Sequence, residues 1–414
     1  MRKALILTVG TGGDGVDIVP PLVKSIQRTR LDRVCLLETG ASSVNAGRIQ
    51  AECGPETVVS VAKIEDPDDV EYVFRRALSE LRRLRDEGFA PEEIGANYTS
   101  GTKPMSAGLA LAGVAFGCDA LDFVSGQRPE GGGVVIAGSE RFREIPPVGI
   151  LAQAEVRLGV ELLRRLQFEA VRRLFPNGVP ILDVYDQRLV TGLQRLADAY
   201  DAWDKFQHGG FIKRYHEADL SMSDLTPFRL SPRIAERVQA MHRHEDDRRP
   251  PLTEDHLADL WSNASRRILE GRHDDAVARL YRLTEMIAQF ELQRKYGVTT
   301  ASVEPEKLAI ATGDREQLEG QRRNGKVQLG LQQDYDLLKK LDSPLGEAFM
   351  QHTKLSNLLA KRNSSILAHG QSPETADDAE ALAEEVAALT EIVVPDFRAR
   401  CAELQFPWLA QAGT

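Results

Sequence analysis

The stretch Ile94–Gly117, IGANYTSGTKPMSAGLALAGVAFG, decides the fold of the N-terminal half. Ile94 to Tyr98 reads as a short buried strand. A polar turn follows, Thr99-Ser100-Gly101-Thr102-Lys103, and Pro104 opens a helix that runs through MSAGLALAGVAFG. Proline suits the first helical position, where its missing N–H costs nothing. The start of that helix offers free backbone N–H groups and the positive end of a dipole. Three hydroxyls, a glycine and a lysine gather at that end, which is a place to hold a phosphate or a ribose. The same residues also suit an ordinary strand–turn–helix in which Thr99 or Thr102 only caps.

Working outward, the pattern repeats. Residues 3–9, KALILTV, form an almost wholly apolar run, as a buried parallel strand does. It ends in Gly10-Thr11-Gly12-Gly13-Asp14-Gly15, a glycine-rich turn that lets backbone approach a ligand closely. It is not a full dinucleotide fingerprint. Val19–Thr29 reads as a helix with Pro20 and Pro21 at its start. Val34–Glu38 is a second strand, followed by the polar turn Thr39–Ser43. Val58–Ile64 is a third strand. Asp66-Pro67-Asp68 then opens an amphipathic helix to about Arg85, with Val70, Phe74, Leu78, Leu81 and Leu84 at helical spacing. Ala120–Val124 and Gly131–Ala137 are further strands. Strands alternating with helices predict a parallel doubly wound sheet, whose ligands bind at the carboxyl ends of the strands. Both polar turns lie at such ends.

Pro146-Pro147 marks a boundary, after which the chain reads as helical. Helices are expected over Gln153–Phe175, Thr191–Gln207, Asp255–Gly271, Asp274–Tyr296, Lys307–Thr312, Leu331–Leu341, Leu345–Leu359, Lys361–His369 and Pro373–Val394. Asn177–Pro180 reads as a turn, and residues 217–254 as a loop-rich connection with one short helix. Within them, His242-Arg243-His244-Glu245-Asp246 has the composition of a metal cluster but no partners at metal spacing, so it reads as a solvated charged segment.

The C-terminal stretch Leu359–Gly370, LAKRNSSILAHG, carries the chemistry. Arg362 and His369 are seven residues apart, which on a straight helix places both on one face with a rise of roughly 10 Å between them. An arginine that is always charged and a histidine that titrates near neutral pH suit phosphodiester chemistry. The pair is also what a surface arginine and a capping histidine look like, with Gly370 as the helix C′ residue. At that separation the two are poorly placed to grip one phosphate. The helix is then distorted at Ser364-Ser365, or each site borrows from a partner subunit.

Composition bounds the classes. The chain has 414 residues, 42% hydrophobic and 28% charged, which suits a soluble protein of two or three domains. A formal charge of −10 argues against non-specific coating of nucleic acid and leaves room only for a local basic site. Cys35, Cys53, Cys118 and Cys401 are scattered and read as reduced thiols of a cytoplasmic protein. The N-terminus enters a strand without a signal pattern, and no apolar run approaches the roughly 20 residues of a membrane span.

Two stretches carry a family resemblance. The strand with its GTGGDG turn, together with ANYTSGTKPMSAGL, resembles a CARF domain, the Rossmann-like sensor domain of CRISPR-associated proteins. RNSSILAHG resembles the R-x(4–6)-H motif of HEPN ribonucleases, and DDAVARLYRLTEMIAQFEL is similar to the helix that precedes it there. Together they resemble the CARF–HEPN ribonucleases of type III CRISPR systems, over residues 1–140 and 272–371.

The resemblance implies an α/β sensor domain over 1–147, a helical connector over 148–260 and an all-α HEPN domain over 261–414. It implies a homodimer activated by cyclic oligoadenylate, cyclic tetra- or hexaadenylate, which cleaves single-stranded RNA without a metal or other cofactor. No membrane and no stable DNA binding are implied. The ligand-contacting loops fall on Thr11, Gly12, Gly13, Thr99, Ser100, Gly101, Thr102 and Lys103. The catalytic pair falls on Arg362 and His369, with Asn363 beside it. A nucleotide-sensing regulator without catalysis, in which Arg362 and His369 are structural, remains the alternative.

Overall fold

A computed structural model describes residues 3–12, 17–127, 135, 138–175, 184–245, 251–362, 365 and 370–410. The described chain forms two compact units, one ending at Val156 and the other taking the residues that follow.

In the first unit the elements are β1 (Ala4–Val9), α1 (Val19–Gln27), β2 (Arg33–Glu38), α2 (Ser43–Glu52), β3 (Val58–Lys63), α3 (Val70–Asp86), β4 (Ile94–Asn97), α4 (Lys103–Phe116), β5 (Ala120–Ser125) and β6 (Arg141–Ile145). Among the described residues, six strands form one sheet in the order β3-β2-β1-β4-β5-β6. The first five are mutually parallel, and β6 pairs antiparallel at the edge. Every residue of β1 is buried. Its alternate side chains serve two cores: Leu5, Leu7 and Val9 cluster with α1 and α2, while Ala4 and Ile6 cluster with α3 and α4. Burial on both faces is why these strands read as unbroken apolar runs.

Strand β6, with sequence RFREI, was not expected, because it is an exposed edge strand and presents charge rather than an apolar run. The strand expected at Gly131–Ala137 lies outside the described residues except for Val135. The helix after Asp66-Pro67-Asp68 begins at Val70, capped by Asp69, whose carboxylate accepts from the N–H groups of Glu71 and Tyr72.

The second unit is helical. After α5 (Val148–Arg164), which runs into it, come α6 (Phe168–Leu174), α7 (Val184–Asp204), α8 (His208–Glu217), α9 (Pro232–Glu245), α10 (Glu254–Leu269), α11 (His273–Tyr296), α12 (Thr312–Glu319), α13 (Leu331–Lys340), α14 (Pro344–Gln351), α15 (Thr353–Arg362), α16 (Ala376–Glu391), α17 (Phe397–Glu403) and α18 (Pro407–Ala410). Several expected helices are broken or shifted. Gln153–Phe175 divides at Leu166, which adopts a φ of 62°. Leu345–Leu359 divides at His352, whose ring Nδ1 accepts from the N–H of Leu355 and starts a new helix. Lys307–Thr312 is not a helix: a single tight turn at Pro305–Lys307 gives way to extended backbone at Leu308, and α12 starts at Thr312. The stretch expected as mostly loop holds α9, whose buried stripe of Val238 and Met241 sits among charges.

The helices before residue 260 share a core with those after it. Tyr200 packs edge-on against Phe406 and Trp408. The indole of Trp203 donates to Asp259 at 2.9 Å. Asp204 accepts from Asn263, from Arg266 at 2.8 Å and from Arg267 at 2.6 Å. All four cysteines are free, and burial pushes the Cys35 and Cys118 thiols up to about 12. No helix among the described residues is long and apolar enough to cross a membrane. Nor does any group of His, Cys, Asp or Glu there suit a metal ion.

Candidate functional sites

In the first unit the direction of the windings reverses between β1 and β4, the crevice where open α/β sheets take ligands. A cavity of about 430 Å³ opens there. Thr11 and Gly12 from the turn after β1, and Thr99, Ser100, Gly101 and Thr102 from the turn after β4, all line it. Lys103, the first residue of α4, is exposed and does not. Gly13 lies outside the described residues.

Four hydrogen bonds build the floor. The Thr8 hydroxyl donates to the Ser100 carbonyl. Gly10 N–H donates to Ser100 Oγ at 2.9 Å, fastening the two turns together. The side-chain amide of Asn45 donates to the carbonyls of Gly10 and Thr11 at 3.0 and 3.2 Å. The turns approach so closely that a Cβ on Gly10 would stand 2.7 Å from the backbone nitrogen of Gly101, and Gly101 itself has a φ of 99°. No other residue type fits either position without moving the turn.

The three hydroxyls therefore serve the protein first. Thr99 Oγ1 accepts from Val124 N–H at 2.9 Å. Thr102 Oγ1 accepts from Met105 N–H at 3.3 Å, capping α4, and donates to the Pro67 carbonyl at 2.6 Å. What the cavity offers a ligand is glycine-rich backbone and one helix N-terminus, over apolar walls from Ile18, Leu22, Met105 and Val124. Those walls, with Thr39, Ala41 and Pro67, were not expected as site residues. The polar turn Thr39–Ser43 carried the signal for two of them; the apolar ones read simply as core.

In the second unit Arg362 ends α15. Of the helix expected over Lys361–His369, only Lys361, Arg362 and Ser365 are among the described residues. Ser365 pairs with Ser372 in an isolated parallel bridge, and its N–H donates to the Arg362 carbonyl at 3.0 Å. The chain has thus left helical pairing by Ser365, and Gly370 donates to the Ser365 carbonyl at 3.1 Å. Asn363 and His369 lie outside the described residues.

The Arg362 guanidinium carbon stands 4.6 Å from the centre of the Tyr281 ring on α11. Its Nε is buried and has no hydrogen-bond partner among the described residues. Next to it Lys361 pairs with Asp378 in the first turn of α16, holding that carboxyl below its usual range. Glu374 is buried close by. Burial, with help from Asp378 and Asp274, raises its pKa. Sequence reasoning missed Tyr281 and Glu374, because neither sits at fixed spacing from Arg362. Tyr281 also lines a cavity of about 460 Å³ with Gln332, Gln333, Ser356 and Leu359.

The chain is thus a doubly wound α/β unit with a cavity at its switch point, followed by a helical unit in which Arg362 lies over a ring and meets no carboxylate among the described residues. Residues 247–393 match the family model of the Csm6 HEPN domain. The structure is similar to Enterococcus italicus Csm6 bound to cyclic hexa-2'-fluoro-hexa-dAMP, with a TM-score of 0.56 at 14% identity over 99% of this chain and 100% of that one. A looser match is Can2 from Sulfobacillus thermosulfidooxidans in complex with cyclic tetra-adenylate, with a TM-score of 0.25 at 13% identity over 50% of this chain and 67% of that one. No curated protein sequence matches. Part of the helical unit thus matches the HEPN domain of Csm6, and the chain as a whole has a fold similar to that of Csm6.

Proposed function

We propose that the chain is an endoribonuclease of CRISPR antiviral defence, activated by a cyclic oligoadenylate, that cleaves single-stranded RNA without a metal. The observation that carries this reading is Arg362. It stands at a helix end inside the HEPN-matching region, held by a ring and paired with no carboxylate among the described residues. Such a guanidinium keeps its charge for a phosphate.

In the proposed reaction the RNA 2′-OH attacks the adjacent phosphorus. The O2′–P bond forms, the P–O5′ bond breaks, and a 2′,3′-cyclic phosphate remains. Arg362 stabilises the charge that develops on the phosphate oxygens. His369 moves the proton from or to the sugar oxygens, and Asn363 orients the substrate. The nucleophile is the group that DNA lacks.

Sensing is assigned to residues 1–147, through Thr11, Gly12, Gly13 and Thr99–Lys103, and catalysis to 261–414, with 148–260 connecting them. The activator assignment is supported by the cavity at the β1/β4 switch point and by the ligand held by Enterococcus italicus Csm6. The protein acts as a cytoplasmic homodimer, in which two motifs across a two-fold axis make one cleft. That lets so acidic a chain converge its few basic groups locally.

The deciding experiment measures RNA cleavage by wild type, Arg362→Ala and His369→Ala, each with cyclic tetraadenylate, cyclic hexaadenylate or neither, in EDTA. Activator-dependent cleavage by wild type, lost in both variants, is expected. Unchanged cleavage in both variants would overturn the site. No cleavage by wild type with either ring would point instead to a nucleotide-sensing regulator.

A further inference from the structure

In the helical unit many arginines are held by carboxylates, and others, such as Arg229 and Arg315, by backbone carbonyls. Arg266 and Arg267 reach Asp204, Arg279 reaches Asp275, Arg294 reaches Glu291 and Arg400 reaches Glu254. Arg362 is held differently. No acid pairs with it among the described residues, and its guanidinium lies over the face of Tyr281, 4.6 Å away. A carboxylate would fix the side chain but neutralise it. An aromatic face attracts the guanidinium through its quadrupole and leaves the N–H edge and the net charge available.

The ring stands on firm ground. Tyr281 lies in the longest helix of the unit, and its neighbours Leu280, Leu283 and Thr284 are fully buried. Thr284 carbonyl accepts from the Tyr335 hydroxyl at 2.8 Å, tying α11 to α13 at that level. The ring is therefore a rigid shelf beneath Arg362 on α15.

We infer that Tyr281 is the positioning residue for Arg362 in RNA cleavage, an inference that rests on the ribonuclease reading above. The ring face sets where the guanidinium points, and the hydroxyl contributes nothing to the arrangement. Phenylalanine should therefore serve in its place, and an aliphatic side chain of similar bulk should not.

The test uses the full chain with cyclic tetra- and hexaadenylate as activators and a single-stranded RNA reporter. Tyr281→Phe should keep kcat within about threefold, whereas Tyr281→Leu should lower it about 10- to 30-fold, the range of a desolvated cation–ring contact. KM, thermal midpoint and activator affinity should stay near wild type in both. Tyr281→Met, unbranched and able to fill the space without a ring, repeats the measurement should the leucine variant not fold. In an Arg362→Ala background the leucine change should cost nothing further, since it acts only through Arg362.

Wild-type kcat in Tyr281→Leu or Tyr281→Met, with Arg362→Ala inactive, would overturn the inference and leave the ribonuclease reading standing. Equal loss in the phenylalanine and leucine variants would overturn it too, by assigning the effect to the hydroxyl. Full activity of Arg362→Ala would sink the reading on which it rests.

Discussion

Arg266 and Arg362 belong to the same helical unit, and each lays its guanidinium over an aromatic ring, at 4.0 Å from Phe406 and 4.6 Å from Tyr281. There the likeness ends. Arg266 is wholly buried, donates through Nε to Asp204 at 2.8 Å, and reaches Gln405 at 3.0 Å. Arg362 is half-buried and meets no acid among the described residues. One arginine is consumed by the fold and the other is kept in reserve. A ring contact alone does not distinguish the two roles; the carboxylate does.

Removing the acid from the first arrangement should have the largest effect on stability. Asp204→Ala leaves the Arg266 and Arg267 charges buried without their shared carboxylate, and should cost about 3–5 kcal/mol in urea unfolding. A loss below about 1 kcal/mol would mean that solvent reaches the pair, and the contrast with Arg362 would collapse. Arg362→Ala should do the reverse. Stability should hold within about 1 kcal/mol, as for a substitution away from a buried network. Activator-dependent RNA cleavage should fall at least about 10²–10³-fold, as when a transition-state donor is removed.

The sequence announced Arg362 through its motif and gave no sign of Arg266, since a buried ion network has no fixed spacing. The same physics separates what was legible elsewhere. Strands β1 to β5 carry apolar or β-branched runs, and even the largely exposed β3 keeps its valines, which makes them readable; β6 is a charged edge strand and was not. The glycine turns at Gly10 and Gly101 were readable, because close backbone approach demands glycine. The helix break at Leu166, at positive φ, was not, because leucine does not advertise that conformation, whereas the helix end near Phe206 was read at Gln207.

Asp334 on α13 sharpens the comparison from the acid's side. Asp204 is buried with two arginines. Asp334 is buried, and neither carboxylate oxygen has a hydrogen-bond partner at close range among the described residues. Burial pushes its pKa up to about 7, Glu285 adds to the rise, and Arg282 and Gln289 offset only part of it. The folded protein thus keeps a proton that the unfolded chain loses near pH 4. Asp334 should therefore contribute stability that is full below about pH 4 and is lost as pH rises to about 7, about 1–3 kcal/mol in all. Asp334→Asn should flatten the decline and stabilise the protein above pH 7. Urea midpoints that change with pH equally in both proteins would show that Asp334 is ionised in the fold.

The smallest effect tests whether the sensor turn follows the Arg266 pattern or the Arg362 pattern. Its hydroxyls are committed inward: Ser100 Oγ takes the Gly10 N–H, and Thr102 Oγ1 caps α4. If their work is structural, Thr102→Ala should cost about 1 kcal/mol of stability, the usual value of a lost cap. Ser100→Ala should cost a similar amount, about 1 kcal/mol, by leaving Gly10 N–H without its acceptor. Both variants should then bind cyclic oligoadenylate only a few-fold more weakly, because the backbone and helix N-terminus that face the cavity survive. A hundredfold loss of activator affinity at unchanged stability would place the hydroxyls with Arg362, held in reserve for a ligand.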